Sequence, residues 1–334
     1  NPWDICFDDG FNWLGTDNDQ TQGDKLFSPF YGAHFGWGHT WAYDWKGDDH
    51  LPTAPSAGPL FEGSGTGVVY CGLEHYPGKY RDIFLVNDWL RREVYIYRPV
   101  WKGARMVADR ERLETFAHAG GGRAMGRSAG RRFDPVDIEL GPDGAIYISS
   151  WGREYGLAEK NGKQVNEGRI YRFWPKDAAP DRRALRDPKR QKPIEKWTAD
   201  ELYQDLGSHL PAWRTNAQEE LLRRGPDAPE KRPAALPKTT RFTTWHVWTM
   251  ARQLLSPGRN TDLFSNLRDS DSPGARQLMR VLAHRARHRG SQRLPEVSRQ
   301  ELKSADARRR HEAILAMRQA GETRWNKDIL DLLA

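Results

Sequence analysis

Alternating apolar and polar positions in the first half of the chain predict antiparallel strands joined by tight turns. The clearest unit covers residues 135–151, in which two strand-like segments flank a Gly-Pro-Asp-Gly turn at residues 141–144. A turn of this composition between two such segments is typical of a β-hairpin. A third strand is predicted at residues 168–174.

The same pattern occurs twice more, nearer the start of the chain. One copy covers residues 3–17 around an Asp-Asp-Gly turn, and a less regular copy covers residues 67–97. Because Gly10 and Gly144 mark the turns of the first and last copies, each repeat spans roughly 65 residues. A repeat of several strands at this period predicts the blades of an all-β propeller. Since known propellers have about four to eight blades, three copies predict only part of the ring.

The second half of the chain has the apolar period of helices. Residues 213–222 and 245–255 each place their Trp and Leu side chains on one helix face. Residues 276–285 and 309–318 match at an offset of 33, which predicts stacked helix pairs of the HEAT-like kind. The predicted organisation is therefore a partial β-propeller over residues 1–175, a Pro-rich linker over 176–195, and an all-α array of HEAT-like repeats over 196–334.

Charge divides the chain at about the same place. Residues 196–334 carry 25 Lys and Arg against 17 Asp and Glu, whereas the preceding part is nearly balanced. Nucleic-acid binding is one interpretation of the basic helices. The absence of a base-reading motif and the interspersed Glu favour a solvated face or a docking surface for an acidic partner.

Composition excludes several classes of protein. The sequence is 37% hydrophobic, and no apolar run approaches the roughly 20 residues that span a bilayer, so no membrane span is expected. Cys6 and Cys71 form neither a CxxC pair nor a CxxCH motif, so no haem is expected in this chain. The two residues either form one disulfide or are plain core residues.

The opening residues resemble a known family. Residues 1–10 (Asn-Pro-Trp-Asp-Ile-Cys-Phe-Asp-Asp-Gly), 16–19 (Thr-Asp-Asn-Asp) and 32–37 (Gly-Ala-His-Phe-Gly-Trp) are similar in order and spacing to the soluble quinoprotein sugar dehydrogenases. The unit at residues 134–151 resembles a later blade of that family. The whole chain is similar to multidomain proteins of the membrane-bound dehydrogenase type, in which such a propeller precedes helical repeats.

The resemblance implies a six-bladed propeller, of which this chain holds about three blades, that binds pyrroloquinoline quinone (PQQ) and Ca²⁺. It implies oxidation of glucose, another aldose or another alcohol, with a cytochrome or another electron acceptor as partner. A periplasmic or secreted location is expected, and so are the missing blades upstream of Asn1. The catalytic residue stays unknown, because the catalytic His of the family belongs to an earlier blade.

Several residues of this chain fall at family positions. Asn1 matches the Asn that contacts the quinone. The loop whose backbone carbonyls hold Ca²⁺ corresponds to Asn18, Asp19 and Gln20, where Asp19-Gln20 replaces the Gly-Pro of the family. Asp24 falls at an acidic position of the same loop.

The residues themselves allow two interpretations of this loop. Asp17, Asn18 and Asp19, with Asp24, form the densest group of oxygen donors in the sequence, and Ca²⁺ takes six to eight oxygen ligands. Asp and Asn also cap tight turns without binding a metal.

Aromatic and basic residues supply further candidates for the cofactor site. His34 and Trp37 lie in a loop with His39, His50 and two more Trp, a composition that suits a sugar or a flat quinone or, alternatively, simple packing between blades. Arg91 and Arg153 follow comparable strand ends. They would face an anionic quinone or lie in solvent.

Two functions of different classes therefore remain open. The first is part of a PQQ- and Ca²⁺-dependent dehydrogenase that oxidises a sugar or another alcohol. The second is a non-catalytic propeller with a helical docking array that binds glycans or proteins, because propellers serve both purposes.

Overall fold

The structure is a computed structural model, and it describes most of the chain. The described residues are 2–18, 24–35, 54–60, 64–110, 113–118, 133–151, 159–160, 163–164, 168–176, 187–225, 239–254, 272–291 and 293–332. They divide into two compact units, one built of sheets and the other of helices, with the main boundary between residues 184 and 185.

The first sheet is antiparallel and begins with the predicted hairpin around Gly10. Its strands, in spatial order, are β1 (Pro2–Phe7), β2 (Trp13–Asp17), β3 (Lys25–Phe27) and β4 (Gly58–Pro59). The Asp8 carboxylate accepts hydrogen bonds from the backbone and side-chain nitrogens of Asn12 at 2.9 Å, which closes the turn between β1 and β2. Cys6 and Cys71 are both free thiols.

The second sheet is antiparallel and contains a strand that is buried along its whole length. In sequence order its strands are β5 (Gly65–Cys71), β6 (Ile83–Asp88), β7 (Glu93–Tyr97) and, after a ribbon of β8 (Pro99–Lys102) and β9 (Arg105–Ala108), β10 (Glu114–His118). Their spatial order is β10-β7-β6-β5. Leu14 and Leu26 of the first sheet pack with Phe84, Val86 and Tyr97 of the second in one apolar core.

The third sheet contains the clearest hairpin of the sequence. Its strands are β11 (Pro135–Leu140), β12 (Ile146–Ser150) and β15 (Arg169–Phe173), with a separate ribbon of β13 (Glu159–Lys160) and β14 (Lys163–Gln164). Gly144 adopts the left-handed φ of 82° that the turn requires. The Asp143 carboxylate accepts hydrogen bonds from the Ala145 backbone, the Tyr147 hydroxyl and the Arg172 guanidinium, which joins the turn to β12 and β15.

Strand β5 joins the three sheets. The Thr16 hydroxyl donates to the Thr66 carbonyl at 2.6 Å, and the Thr66 hydroxyl donates to the Pro135 carbonyl at 2.9 Å. A Cβ at Gly67 would lie 2.8 Å from the Asp137 Cα atom, so only glycine allows β5 and β11 to approach this closely. The antiparallel sheets predicted for the first part of the chain are therefore confirmed.

Seven helices form the described part of the second unit. They are α1 (Ala199–Asp205), α2 (Pro211–Arg224), α3 (Thr240–Leu254), α4 (Ser272–His288), α5 (Glu296–Glu301), α6 (Ala307–Ala320) and α7 (Asn326–Leu330). Short 3₁₀ turns at Pro188–Gln191 and Ile194–Lys196 precede them. No described helix is both long enough and apolar enough to cross a membrane.

Local sequence signals explain where these helices begin and end. Thr198 and Glu201 form a reciprocal capping box at the start of α1. The Asp306 side chain caps α6, and Gly225 and Gly321 end α2 and α6 with positive φ angles. The segments that match at an offset of 33 residues lie in α4 and α6, whose apolar faces share one core.

The coarse prediction of sheets followed by helices agrees with this structure. Within the described residues the three sheets form no closed ring, and the helices do not establish a particular repeat family. The propeller and the HEAT-like assignment therefore stay predictions.

Candidate functional site

One edge of the sheet unit collects buried carboxyl groups. In each of the three sheets the last residue pair at one end lies next to an aspartate or contains one. These end pairs are Asp17 with Lys25, Gly65 with Asp88, and Pro135 with Ser150. We call the four carboxyl groups at these ends the acidic edge; it consists of Asp17, Asp24, Asp88 and Asp134. Each of the four residues is at most 7% exposed. Since carboxylates are rarely buried without a partner, their contacts show what each one does.

Asp17 and Asp24 of the acidic edge have structural partners in the first two sheets. Asp17 forms a salt bridge of 3.3 Å with Lys25 on the neighbouring strand. Asp24 accepts a hydrogen bond of 3.1 Å from the Gly65 backbone through Oδ2, and this bond links the first sheet to the second. Both carboxyl groups therefore help to hold the strand ends in place.

Asp88 is in a different environment. It ends the buried strand β6, and its side chain is 0% exposed. Its Oδ1 atom accepts a hydrogen bond of 3.0 Å from the Arg91 backbone, whereas its Oδ2 atom makes no hydrogen bond of normal geometry to any described residue. Burial, together with the negative charge of Asp24, raises the pKa of Asp88 to about 7, although the charge of Arg91 and the backbone amides of Arg91 and Ser64 oppose the shift. Asp88 is thus a carboxyl group that exchanges its proton near neutral pH.

Asn87 adds a second buried polar group at the same strand end. It is 0% exposed, and neither its Nδ2 nor its Oδ1 atom forms a hydrogen bond to a residue in the described part of the chain. Alternation along β6 places Asn87 on the face of Ile83 and Leu85, opposite to Asp88. A buried amide without partners costs about 1–3 kcal/mol, and such groups in native structures often mark functional positions.

The turn after β6 connects the acidic edge to the third sheet. Arg92 has a left-handed φ of 56°, and its Nε atom lies 2.8 Å from the Asp134 carboxylate. Burial raises the pKa of Asp134, and the guanidinium of Arg92 limits that rise. The Ser150 hydroxyl accepts a hydrogen bond of 2.8 Å from the Asp134 backbone. The turn thus fixes the position of Arg91 beside Asp88.

The structure describes half of the residues that the sequence predicted for the site. Asp24 and Arg91 both lie beside Asp88, as their electrostatic effects on it show. The His34 side chain is half-buried, and its backbone carbonyl accepts a hydrogen bond from Ala54 at 2.6 Å. Asp17 ends β2, and Asn18 follows it. The remaining predicted residues lie outside the described part of the chain: Asn1, Asp19, Gln20, Trp37 and Arg153.

Asp88 and Asn87 were not among the residues predicted for the site, because only the arginines after this strand were considered as ligands. The sequence of β6, Ile-Phe-Leu-Val-Asn-Asp, nevertheless distinguishes them. Four apolar residues predict a fully buried strand, and the two polar residues that complete it are therefore unusual.

The calcium site predicted at residues 17–20 lies only partly within the described residues. Carboxylate and carbonyl oxygens suit a hard cation, and the acidic edge supplies the former. Among the described residues, no three His, Cys, Asp or Glu side chains converge to hold a metal. The remaining ligands of the predicted loop, at Asp19 and Gln20, are outside the described residues, so the calcium prediction is untested.

Comparisons with known proteins give only a distant similarity. No protein-family model and no curated protein matches the chain. Among solved structures, a glucose dehydrogenase matches with a TM-score of 0.33 and 14% sequence identity. The match covers 52% of this chain and 40% of the glucose dehydrogenase. An oxidoreductase from Thermus thermophilus, described as a glucose dehydrogenase, matches with a TM-score of 0.33 and 15% sequence identity. The match covers 52% of this chain and 44% of the oxidoreductase.

A third match is the soluble aldose sugar dehydrogenase from Escherichia coli in its apo-form. Its TM-score is 0.32 and its sequence identity is 14%. The match covers 45% of this chain and 41% of the aldose sugar dehydrogenase. This chain therefore spans less than half the length of each of the three proteins. At these scores the similarity is a distant one of fold, and it assigns no activity to this chain.

Proposed function

We propose that this chain is part of a dehydrogenase that oxidises a sugar or another alcohol, with the acidic edge at one wall of the reaction site. Asp88 carries the proposal. It is fully buried, its Oδ2 atom has no hydrogen-bond partner among the described residues, and it lies beside Asp24 and Arg91, two residues predicted for the cofactor site. A pKa of about 7 suits a group that takes up and returns protons.

The three sheets would be three blades of a six-bladed propeller, whose other blades come from residues upstream of Asn1 or from another chain. Strand β5 supports this arrangement, because it contacts strands of both other sheets through buried hydrogen bonds. In such a ring the acidic edge would face the end of the propeller where the cofactor binds.

Oxidation of an alcohol releases a hydroxyl proton and a hydride from the carbon that bears the hydroxyl. Asp88 in its ionised form would receive the proton, and the Arg91 charge beside it would stabilise that ionised form between turnovers. Because Asp88 is fully buried, a water molecule would carry the proton from the substrate hydroxyl to Asp88 and later from Asp88 to solvent.

The cofactor assignments follow the resemblance of the sequence. The calcium ligands would be Asp17, Asn18, Asp19 and Gln20. The PQQ site would comprise Asn1, Asp24, His34, Trp37, Arg91 and Arg153. Bound there, the quinone would accept the hydride while the cation polarises it. A cytochrome or another acceptor would then remove the electrons, in the periplasm or outside the cell.

Calorimetric titration of the full-length protein with PQQ and with CaCl₂ tests the cofactor part of this proposal. We expect both ligands to bind, and Asp17→Ala and Asp24→Ala to weaken calcium binding. If the full-length protein binds neither ligand, the dehydrogenase proposal fails, and a non-catalytic scaffold that binds glycans or proteins takes its place.

Activity of the loaded protein tests the role of Asp88. With D-glucose or another aldose and an artificial electron acceptor, we expect Asp88→Asn to lower kcat by up to about 100-fold, the lower end of the contribution of an acid or base that contacts the reacting group, because Asp88 would act through a relay. Asp200→Asn is the matched control, because Asp200 is exposed in the first turn of α1. Equal kcat in Asp88→Asn and the wild type would remove Asp88 from the mechanism.

A further inference from the structure

Two histidines lie one helical turn apart near the end of α4. His284 and His288 are at positions i and i+4, so their side chains occupy the same face of the helix. Their ring centroids are 6.3 Å apart, and the ring planes differ by only 22°. The two imidazoles are therefore direct neighbours.

The two imidazoles differ in their exposure. The Trp248 ring meets His284 edge-on with centroids 6.0 Å apart, and the Trp248 indole nitrogen donates to the Gln277 amide oxygen at 2.9 Å. His284 is half-buried by these neighbours, whereas His288 is exposed. Neither imidazole forms a hydrogen bond to any residue that the structure describes. The ring nitrogens of both therefore keep their capacity to bind a ligand.

We propose that His284 and His288 form a two-histidine chelate for a divalent transition-metal ion, with copper(II) bound most tightly. Pairs of histidines at this spacing on a helix bind metals through both imidazoles. Neutral imidazole suits copper, nickel and zinc, and the affinity of a given nitrogen site rises to a maximum at copper(II). Calcium and magnesium prefer oxygen ligands and would not bind here. The site is independent of the proposed dehydrogenase function.

Chelation requires the His288 ring to turn as well as to move closer. Metal–nitrogen bonds of about 2.0–2.1 Å from one ion to two imidazoles place the ring centroids about 5 Å apart, roughly 1 Å closer than here. A metal ion also lies in the plane of each imidazole that binds it, whereas these two rings are stacked with nearly parallel planes, so the exposed His288 side chain must change its torsions to aim a ring nitrogen at the ion. Among the described residues no third His, Cys, Asp or Glu joins the pair, so water or a small anion completes the coordination.

Two electrostatic effects oppose each other at this position. The carbonyl end of a helix carries a partial negative charge that favours a cation. Arg287 and Arg289, on either side of His288, carry positive charges that oppose it. Their charges also favour an anion as a further ligand of the metal. These opposing effects predict a site of moderate affinity that depends strongly on chelation by both rings.

Titration of the full chain with copper(II), nickel(II) and zinc(II) chlorides in a non-chelating buffer tests the proposal. Calorimetry should give one site per chain that binds copper most tightly. Because the second metal–nitrogen bond is intramolecular, loss of either imidazole should weaken copper binding by about 100-fold. The two variants are His284→Gln and His288→Gln, and His118→Gln, which removes an exposed histidine of the sheet unit, is the matched control.

Electron paramagnetic resonance provides a readout besides affinity, since copper(II) held by both rings shows nitrogen splitting from two imidazoles. Circular dichroism confirms that the variants fold. The proposal is overturned if copper binds His288→Gln as tightly as the wild type, if His118→Gln loses the same site, or if the chain binds none of the three ions.

Discussion

Replacing Asp88 with Asn should change the pH dependence of stability in a defined direction. The folded protein raises the pKa of this carboxyl group from an ordinary value of 3.8 to about 7, mainly because the group is buried. A raised carboxyl pKa means that the folded state binds the proton more tightly than the unfolded state does. The stability that depends on Asp88 is therefore fully present below pH 4 and is lost as the pH rises from about 4 through about 7.

The size of the effect follows from the two pKa values. A difference of one pH unit in pKa corresponds to about 1.4 kcal/mol, so the shift of Asp88 amounts to about 4 kcal/mol at most. Asn cannot ionise, and its side-chain oxygen can still accept the hydrogen bond from the Arg91 backbone. We therefore expect Asp88→Asn to match the wild type within about 1 kcal/mol near pH 4 and to exceed its stability by several kcal/mol at pH 8.

Urea unfolding at pH 4, 5, 6, 7 and 8, followed by circular dichroism, measures this difference. The transitions of the sheet and helical units are fitted separately, since a chain of two units need not unfold in one step. Asp200→Asn controls for the loss of a carboxylate at an exposed position. A free-energy difference between Asp88→Asn and the wild type that is the same at pH 4 and pH 8 would refute the reasoning.

Two further predictions concern packing and buried charge. Asp205 is 3% exposed and contacts Lys189 at 2.6 Å and Arg190 at 3.2 Å. Asp205→Ala removes a buried carboxylate from both cations, so it should destabilise the helical unit by about 3 kcal/mol in urea; a change below 1 kcal/mol would contradict this. Gly67→Ala should cost about 1–3 kcal/mol, because its Cβ would lie 2.8 Å from the backbone of β11, whereas Gly78→Ala, whose Cβ meets nothing within 4 Å, should be neutral. Equal thermal melting temperatures for these two glycine variants would show that the close approach of β5 and β11 is unimportant.

Local elements of this fold could be predicted because their causes are local. The hairpin of β11 and β12 follows from a Pro-Asp-Gly turn between two apolar segments, and Gly144 adopts the positive φ that such a turn needs. The helices begin at capping residues such as Thr198 and Asp306, which are visible in the sequence. The match between residues 276–285 and 309–318 indicated two helices that do share a core.

Contacts between distant residues could not be predicted in this way. The Thr66 hydroxyl bonds the Pro135 carbonyl across 69 positions of the sequence, and no local pattern identifies that pair. Nothing in the local sequence shows that residue 67 must be glycine; the requirement comes from the backbone of β11, which packs against it. Asp24 and Asp88 influence each other only because the Asp24 carboxylate binds the Gly65 backbone at the start of β5, which pairs with β6. The acidic edge is thus a product of tertiary packing.

The contrast between the two units shows why the acidic edge is the better candidate for chemistry. In the described part of the helical unit, several buried carboxylates form ion pairs with arginine. Arg223 and Arg224 lower the pKa of Glu220 to about 2, and Arg324 does the same for Glu322. Such acids stay ionised at any physiological pH, so they stabilise structure and cannot exchange protons.

Asp88 has no ion pair that compensates its burial, so its pKa moves in the opposite direction. A group whose charged form is left without compensation lowers stability at neutral pH. Protein sites retain such groups mainly where proton exchange or ligand binding needs them. The same amino-acid chemistry therefore has two outcomes in this chain. An arginine in an ion pair lowers the pKa of Glu220 and of Glu322, whereas the nearby charge of Arg91 does not offset the burial of Asp88. That difference, rather than the number of acidic residues, identifies Asp88 as the position to test first.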